Sequence, residues 1–230
     1  MKRKWWLGAL ALLLAGVAAF FALAPGIVEK GMNKVVATKL PTVTPETRKL
    51  HAGLQIADLH EDTLLWKRSL NDRATRGQVG LPRLLEGNVA LQIFSSVTKT
   101  PKNQNYDANG ADTDNITLLT VAQLQPPRTW SSLLERSLFH AQKLDRAAAA
   151  SDGKLRVIRT PADLDALLAA RAKGGKTVGG LLSIEGLQNM EGKLANLDRL
   201  YAAGFRMAGL THFFDNELAG SMHGLAKGGL

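Results

Sequence analysis

From residue 54 onward the sequence alternates short apolar runs with capped, helix-forming stretches, and this alternation limits the fold more than any other feature. "LQIADLH" (54–60), "NVALQIFSSV" (88–97), "LRVIR" (155–159), "TVGGLLSIEG" (177–186) and "FRMAGLTH" (205–212) read as strands, being rich in β-branched and apolar residues. Helices are expected around 112–124, at 131–149 with Ser131 or Ser132 as cap, and at 194–204 closed by Gly204. In "TPADLDALLAARAKGG", Thr160 suits the N-cap, Pro161 the first helical position, and the glycines the end. Continuously apolar strands separated by helices specify an α/β fold with a parallel sheet covered on its faces.

The polar residues fall at the ends of those strands. His60 and Asp62 end the first, Glu185 ends a later one and His212 the next. Parallel α/β folds gather ligand and catalytic groups at strand C-termini, and the (β/α)8 barrel brings them to one face.

Side chains two apart on a strand point the same way, so the H-x-D of His60 and Asp62 offers one cation an imidazole nitrogen and a carboxylate oxygen. Alone the triplet is weak, since capped turns and surface polar groups produce it as readily. Asp58 shares that face and is expected to support the site by orienting a ligand histidine. Glu185, between an apolar strand and a glycine, would by itself read as a turn glutamate, yet a carboxylate can bridge two metal ions. His212 alone could equally be a hydrogen-bonded core histidine. The chain has no cysteine, which removes disulfides and thiolate-ligated metals and leaves His and carboxylates as ligands.

The N-terminus carries a separate signal. "MKRK" precedes twenty uncharged residues, 5–24, ended by Pro25-Gly26. A helix of that length rises about 30 Å, enough to cross a bilayer. The preceding positive charge sets the N-terminus inside and the body outside, periplasmic or otherwise extracytoplasmic. Ala22-Leu23-Ala24 resembles a signal-peptidase site, but the full span length and the following proline favour an uncleaved anchor. Residues 25–50 read as a linker and 51–230 as the folded body. The net charge of +9 divides into +6 over residues 1–50 and +3 beyond, which points to a membrane surface more than to DNA or RNA, and no nucleic-acid partner is expected. The Lys and Arg of 128–176 read as solvated helix faces.

Two further motifs lead nowhere. "GGKT" (174–177) has Ala170 where a phosphate loop needs glycine and precedes a strand instead of following one. Ser221 with His223 lacks the G-x-S-x-G surround and a third group to orient the histidine.

Taken together, "ADLHEDTL", "LLSIEG" and "GFRMAGLTHFFDNELAGSMHG" resemble the N-terminal half of the membrane dipeptidases, the renal-dipeptidase-like metallopeptidases. That family has D-x-H-x-D after its first strand, a glutamate before glycine, and G-x-R-x-x-x-L-T-H downstream; here Glu185 and His212 are 27 residues apart, with Gly204, Arg206, Leu210 and Thr211 in place. The resemblance implies a (β/α)8 barrel of the metallo-dependent hydrolase type and a binuclear Zn2+ site. His60 and Asp62 would bind one zinc and Glu185 would bridge both. His212 would be a catalytic, substrate-side group stabilising the tetrahedral intermediate, and a metal-held hydroxide would attack the peptide carbonyl of a dipeptide. A homodimer is implied by the resemblance alone. The sequence departs from the family in stopping at "GLAKGGL", with about half the strands of a closed barrel. Only His51, His140 and His223 remain for the missing ligands of the second zinc, none well placed, so the chain is expected to be inactive alone. Two alternatives stay open: a membrane-tethered binding or accessory protein with an incomplete metal site, and another barrel amidohydrolase acting on cyclic amides.

Overall fold

The computed structural model describes residues 2–226, with the side chains of 2–4 left out; the basic start "MKRK" and the last four residues of the expected body therefore lie wholly or partly outside the described residues. The elements run α1 (Lys2–Met32), α2 (Pro45–Ala52), β1 (Ile56–Glu61), α3 (Leu81–Glu86), β2 (Val89–Ser96), α4 (Ile116–Ala122), α5 (Arg128–Ser131), α6 (Leu133–Ala149), β3 (Leu155–Val157), α7 (Pro161–Ala172), β4 (Val178–Ile184), α8 (Ala195–Ala202) and β5 (Phe205–Ala208). Short 3-10 turns follow β1 (Thr63–Leu65) and β4 (Leu187–Met190).

All five strands are parallel. β1 pairs β2, β2 pairs β4, and the other edge of β4 is divided between β3, along 178–180, and β5, along 182–184. The expected parallel α/β class is what forms, as part of a (β/α)8 barrel with fewer strands than the closed form. Apolar burial holds it together: Phe94 of β2, Val178 and Leu182 of β4 and Leu144 of α6 are wholly buried in one cluster. Gly179 lets α7 approach the sheet, because a Cβ there would lie 2.6 Å from Leu167 Cδ2 and 3.0 Å from Ile158 Cγ1. Gly179→Val is expected to cost about 1–3 kcal/mol through overpacking, read as a lower denaturation midpoint at unchanged m-value.

The helix signals around 160 hold. Thr160 accepts from Asp163 N at 3.1 Å while Asp163 reaches back to Thr160 N at 2.9 Å, a reciprocal capping box. Ser132 caps α6 through Glu135 N, and Ser131 instead closes the separate α5. The helix expected near 112–124 shrinks to α4, since Asp114 takes the amides of Ile116 and Thr117 and fixes its start.

Three expectations need correction. α1 does not stop at Pro25-Gly26 but continues to Met32, and α2 begins within the stretch expected as linker and crosses into the expected body. The fifth strand ends at Ala208, so His212 sits on the following loop. The basic helix residues are not all solvated: Arg136 is 1% exposed and Arg171 is buried as well. Arg136 donates to the carbonyls of Thr98, Thr129 and Trp130, to Thr117 Oγ1 and to Asp114 Oδ2.

His140, one turn along α6, is also enclosed, with Nδ1 2.8 Å from Ser96 Oγ. Burial, reinforced by the charges of Lys143 and Arg136, pushes its pKa from 6.5 down to about 3. The native state refuses a proton that the unfolded chain accepts, so this contribution to stability is full above about pH 6.5 and shrinks as pH falls toward 3. The melting temperature is expected to decline through that window, and His140→Gln to flatten the decline.

Candidate metal centre

The strand order sets the site. β1 and β4 flank β2, so the residues leaving their C-terminal ends meet across the end of β2. His60 is the penultimate residue of β1, and Asp62 stands at the N-terminal position of the 3-10 turn that follows, its carboxylate not used to cap it. Glu185 is placed beside β2 by its amide, which donates to Ser96 O at 3.3 Å. Gly186 then turns the chain with φ +86°, a conformation that a side chain would resist.

His60 Nε2 lies 3.3 Å from Asp62 Oδ1 and 3.0 Å from Glu185 Oε2. These three residues form a group whose donor atoms all fall within 4.8 Å of one another, the one such group of three or more among the described residues. Donor atoms on a tetrahedral shell of about 2 Å radius are spaced by roughly 3.3 Å, so the separations suit one zinc-sized cation. Asp62 Oδ1 and Glu185 Oε2 are buried and have no aligned hydrogen-bond donor, although His60 Nε2 is near both. Buried carboxylate oxygens left that way are costly without a positive partner. The donor set and its orphaned oxygens fit a divalent cation.

The electrostatics agree. Burial, and next the charge of Glu185, raise the pKa of Asp62 to about 6 against the opposing pull of His60. Burial also acts to raise Glu185, but the hydrogen bond from His212 and the charges of His212 and His60 outweigh it and hold Glu185 below the ordinary carboxylate value. His212 Nε2 contacts the second oxygen, Oε1, at 2.6 Å, and its ring stands edge-on to Phe213 with centroids 4.1 Å apart. Glu185 thus presents one oxygen to His60 and Asp62 and the other to His212.

A cleft of about 470 Å3 opens on this cluster, lined by Asp62, Glu185, His212, Phe213, Trp66 and Val97 among others. Asp58 does not orient the His60 ring as expected; its Oδ1 accepts from the His60 backbone N–H at 3.2 Å, bracing the strand end instead. The remaining histidines stay apart from the cluster. His140 is enclosed behind Ser96, His223 Nδ1 lies 2.6 Å from Tyr106 O, and His51 is exposed on α2. Ser221 is buried, its hydroxyl bonded to the His212 carbonyl and accepting from His223 N at 3.1 Å, which fits a structural role and no nucleophile. Sequence reasoning missed Arg68, which donates to the hydroxyl of Thr63, the residue after Asp62; nothing in the local pattern distinguishes it from a surface arginine.

Comparison with known proteins identifies the family. The sequence model of the membrane dipeptidases (peptidase family M19) matches residues 45–228. No curated protein matches the chain. Among solved structures, the probable dipeptidase PvdM from Pseudomonas aeruginosa is similar at 17% identity and a TM-score of 0.54, over 80% of this chain and 42% of that one. A metallopeptidase from Rhodobacter sphaeroides, liganded with a phosphinate mimic of the dipeptide L-Ala-D-Ala, has 21% identity and a TM-score of 0.47, over 69% of this chain and 45% of its own. A further dipeptidase described as a family M19 metallopeptidase shares 21% identity, with a TM-score of 0.47 over 69% of this chain and 43% of that one. The chain spans less than half the length of these structures. It belongs to the membrane dipeptidase family, peptidase family M19.

Proposed function

We propose that this chain carries part of the catalytic centre of a membrane-anchored zinc dipeptidase. The observation that supports the reading most is the convergence of His60 Nε2 with two buried, otherwise unpartnered carboxylate oxygens of Asp62 and Glu185 at the strand ends of a family member. His60 and Asp62 would hold one cation, with Glu185 as the carboxylate shared with a second. Zinc, when bound, supplies Lewis acidity and a water acidic enough to ionise near neutral pH. His212, one-third exposed beside Glu185, is the group suited to donate to the oxygen of the scissile carbonyl as charge develops there. Trp66, Val97 and Phe213 would exclude water around the substrate. α1 is long and apolar enough to cross a bilayer, and in this reading it anchors an extracytoplasmic body.

The described residues supply ligands for one cation, so turnover by these 230 residues alone is expected to stay below detection while metal and ligand binding persist. Calorimetry with a phosphinate analogue of a dipeptide tests the reading. Binding should require zinc and be competed by L,L- or L,D-dipeptides but not by lactams. Competition by lactams alone would move the protein to the amidohydrolases of cyclic amides, and absence of zinc binding would leave a tethered accessory protein.

A further inference from the structure

We propose that Glu29, near the end of α1, is a positioning residue for the metal centre, so that the anchor helix is part of the site and not a loose tether. The inference rests on the metallopeptidase reading of His60, Asp62 and Glu185. Glu29 lies beyond the uncharged run 5–24 and is only 2% exposed. Its Oε1 is 2.8 Å from Arg68 Nε and its Oε2 2.8 Å from Arg76 Nη2. The first contact is an ion pair without hydrogen-bond alignment, whereas the second is aligned. A carboxylate is enclosed this way only when opposite charge compensates its lost hydration, which both arginines do.

Arg68 carries the connection onward. Its Nη1 donates to Val79 O at 2.6 Å and its Nη2 to Thr63 Oγ1. Thr63 follows Asp62 directly, in the turn closed by Leu65 N to Asp62 O at 3.0 Å. Two side chains and one peptide unit therefore separate the Glu29 carboxylate from a metal ligand. The backbone fastens the same junction, with Gly77 N donating to Asn33 O at 2.8 Å and Asn33 Nδ2 to Glu29 O at 3.2 Å. Gly77 has φ +72°, and a Cβ there would lie 2.7 Å from Arg68 Nη2, so a side chain where α1 docks would strain the backbone and push the guanidinium aside. Val28, Met32 and Asn33 also line the cleft that contains Asp62, Glu185 and His212, making α1 one of its walls.

A merely structural Glu29 would affect melting and leave metal affinity alone; a positioning Glu29 affects both. The test measures zinc affinity of the full chain in detergent, by competition with a chromophoric chelator, for wild type, Glu29→Gln and Glu29→Asp. Glu29→Gln is expected to weaken zinc binding by roughly 10- to 100-fold, the range for groups that orient ligands, with Glu29→Asp recovering much of it. Unchanged zinc affinity in Glu29→Gln overturns the proposal, whatever its melting temperature. If Glu29→Gln does not fold, Thr63→Val keeps the ion pairs and removes only the hydroxyl that Arg68 holds. Weaker binding in that variant supports the proposal and unchanged binding overturns it. A wild type that binds no zinc is a different failure, since it removes the metal centre itself and the positioning role with it.

Discussion

Asp62→Asn is expected to lose at least about 100-fold in zinc affinity and, in the absence of zinc, to melt higher than the wild type. The two effects have one cause. Without a cation, Asp62 and Glu185 face each other beside His60, and burial with like charge raises Asp62 to about 6. An amide of the same shape removes the repulsion and the desolvated charge, so the empty site becomes more comfortable. It also removes an anionic ligand, so the stabilisation zinc gives the folded state, about 2.7 kcal/mol at a concentration one hundred times Kd, should fall to about 0.4 kcal/mol or less at the same concentration. Thermal melts with and without zinc check both signs. A variant that melts lower without zinc and is still stabilised by it would separate Asp62 from the centre.

Arg136→Met is expected to destabilise the fold by about 3–5 kcal/mol, the cost of removing one partner of a buried, hydrogen-bonded charge pair. For a chain of this size that is a fall of roughly 6–20 °C in melting temperature. The guanidinium ties the segment just after β2 at Thr98, the entry into α4 at Asp114 and Thr117, and the α5 carbonyls of Thr129 and Trp130, so its loss strands acceptors in three segments. Burial acts to raise the Asp114 carboxyl, but hydrogen bonds from Thr117, Arg136 and the Ile116 amide outweigh it and leave it below 3.8. A depressed native pKa stabilises above the unfolded value and loses that contribution as pH falls through the native one. The acid limb of the stability curve should therefore be shallower in Arg136→Met. Unfolding in denaturant at several pH values measures both effects.

Much of the site was readable because strand ends have a fixed direction. The apolar runs before His60 and Glu185 placed both residues at C-terminal ends of parallel strands, and in that geometry side chains far apart in sequence share one opening. What escaped was decided by tertiary contacts. Pro25-Gly26 reads as a helix stop from local propensity, yet the turns beyond it are held by Glu29 and its two arginines. Asp58 two residues before His60 suggested a ring contact, but the nearby backbone amide captured its carboxylate. Arg136 and His140 are spaced four apart in a helix, a faint sign of an inward polar stripe that charge counting conceals.

Anomalous diffraction at the zinc edge, from crystals of the full chain equilibrated with zinc, tests the central claim most directly. The expected result is a peak about 2.0–2.2 Å from His60 Nε2 and from one oxygen each of Asp62 and Glu185. A saturated crystal with no peak at that point, or with zinc held by other residues while these three stay bare, would contradict it.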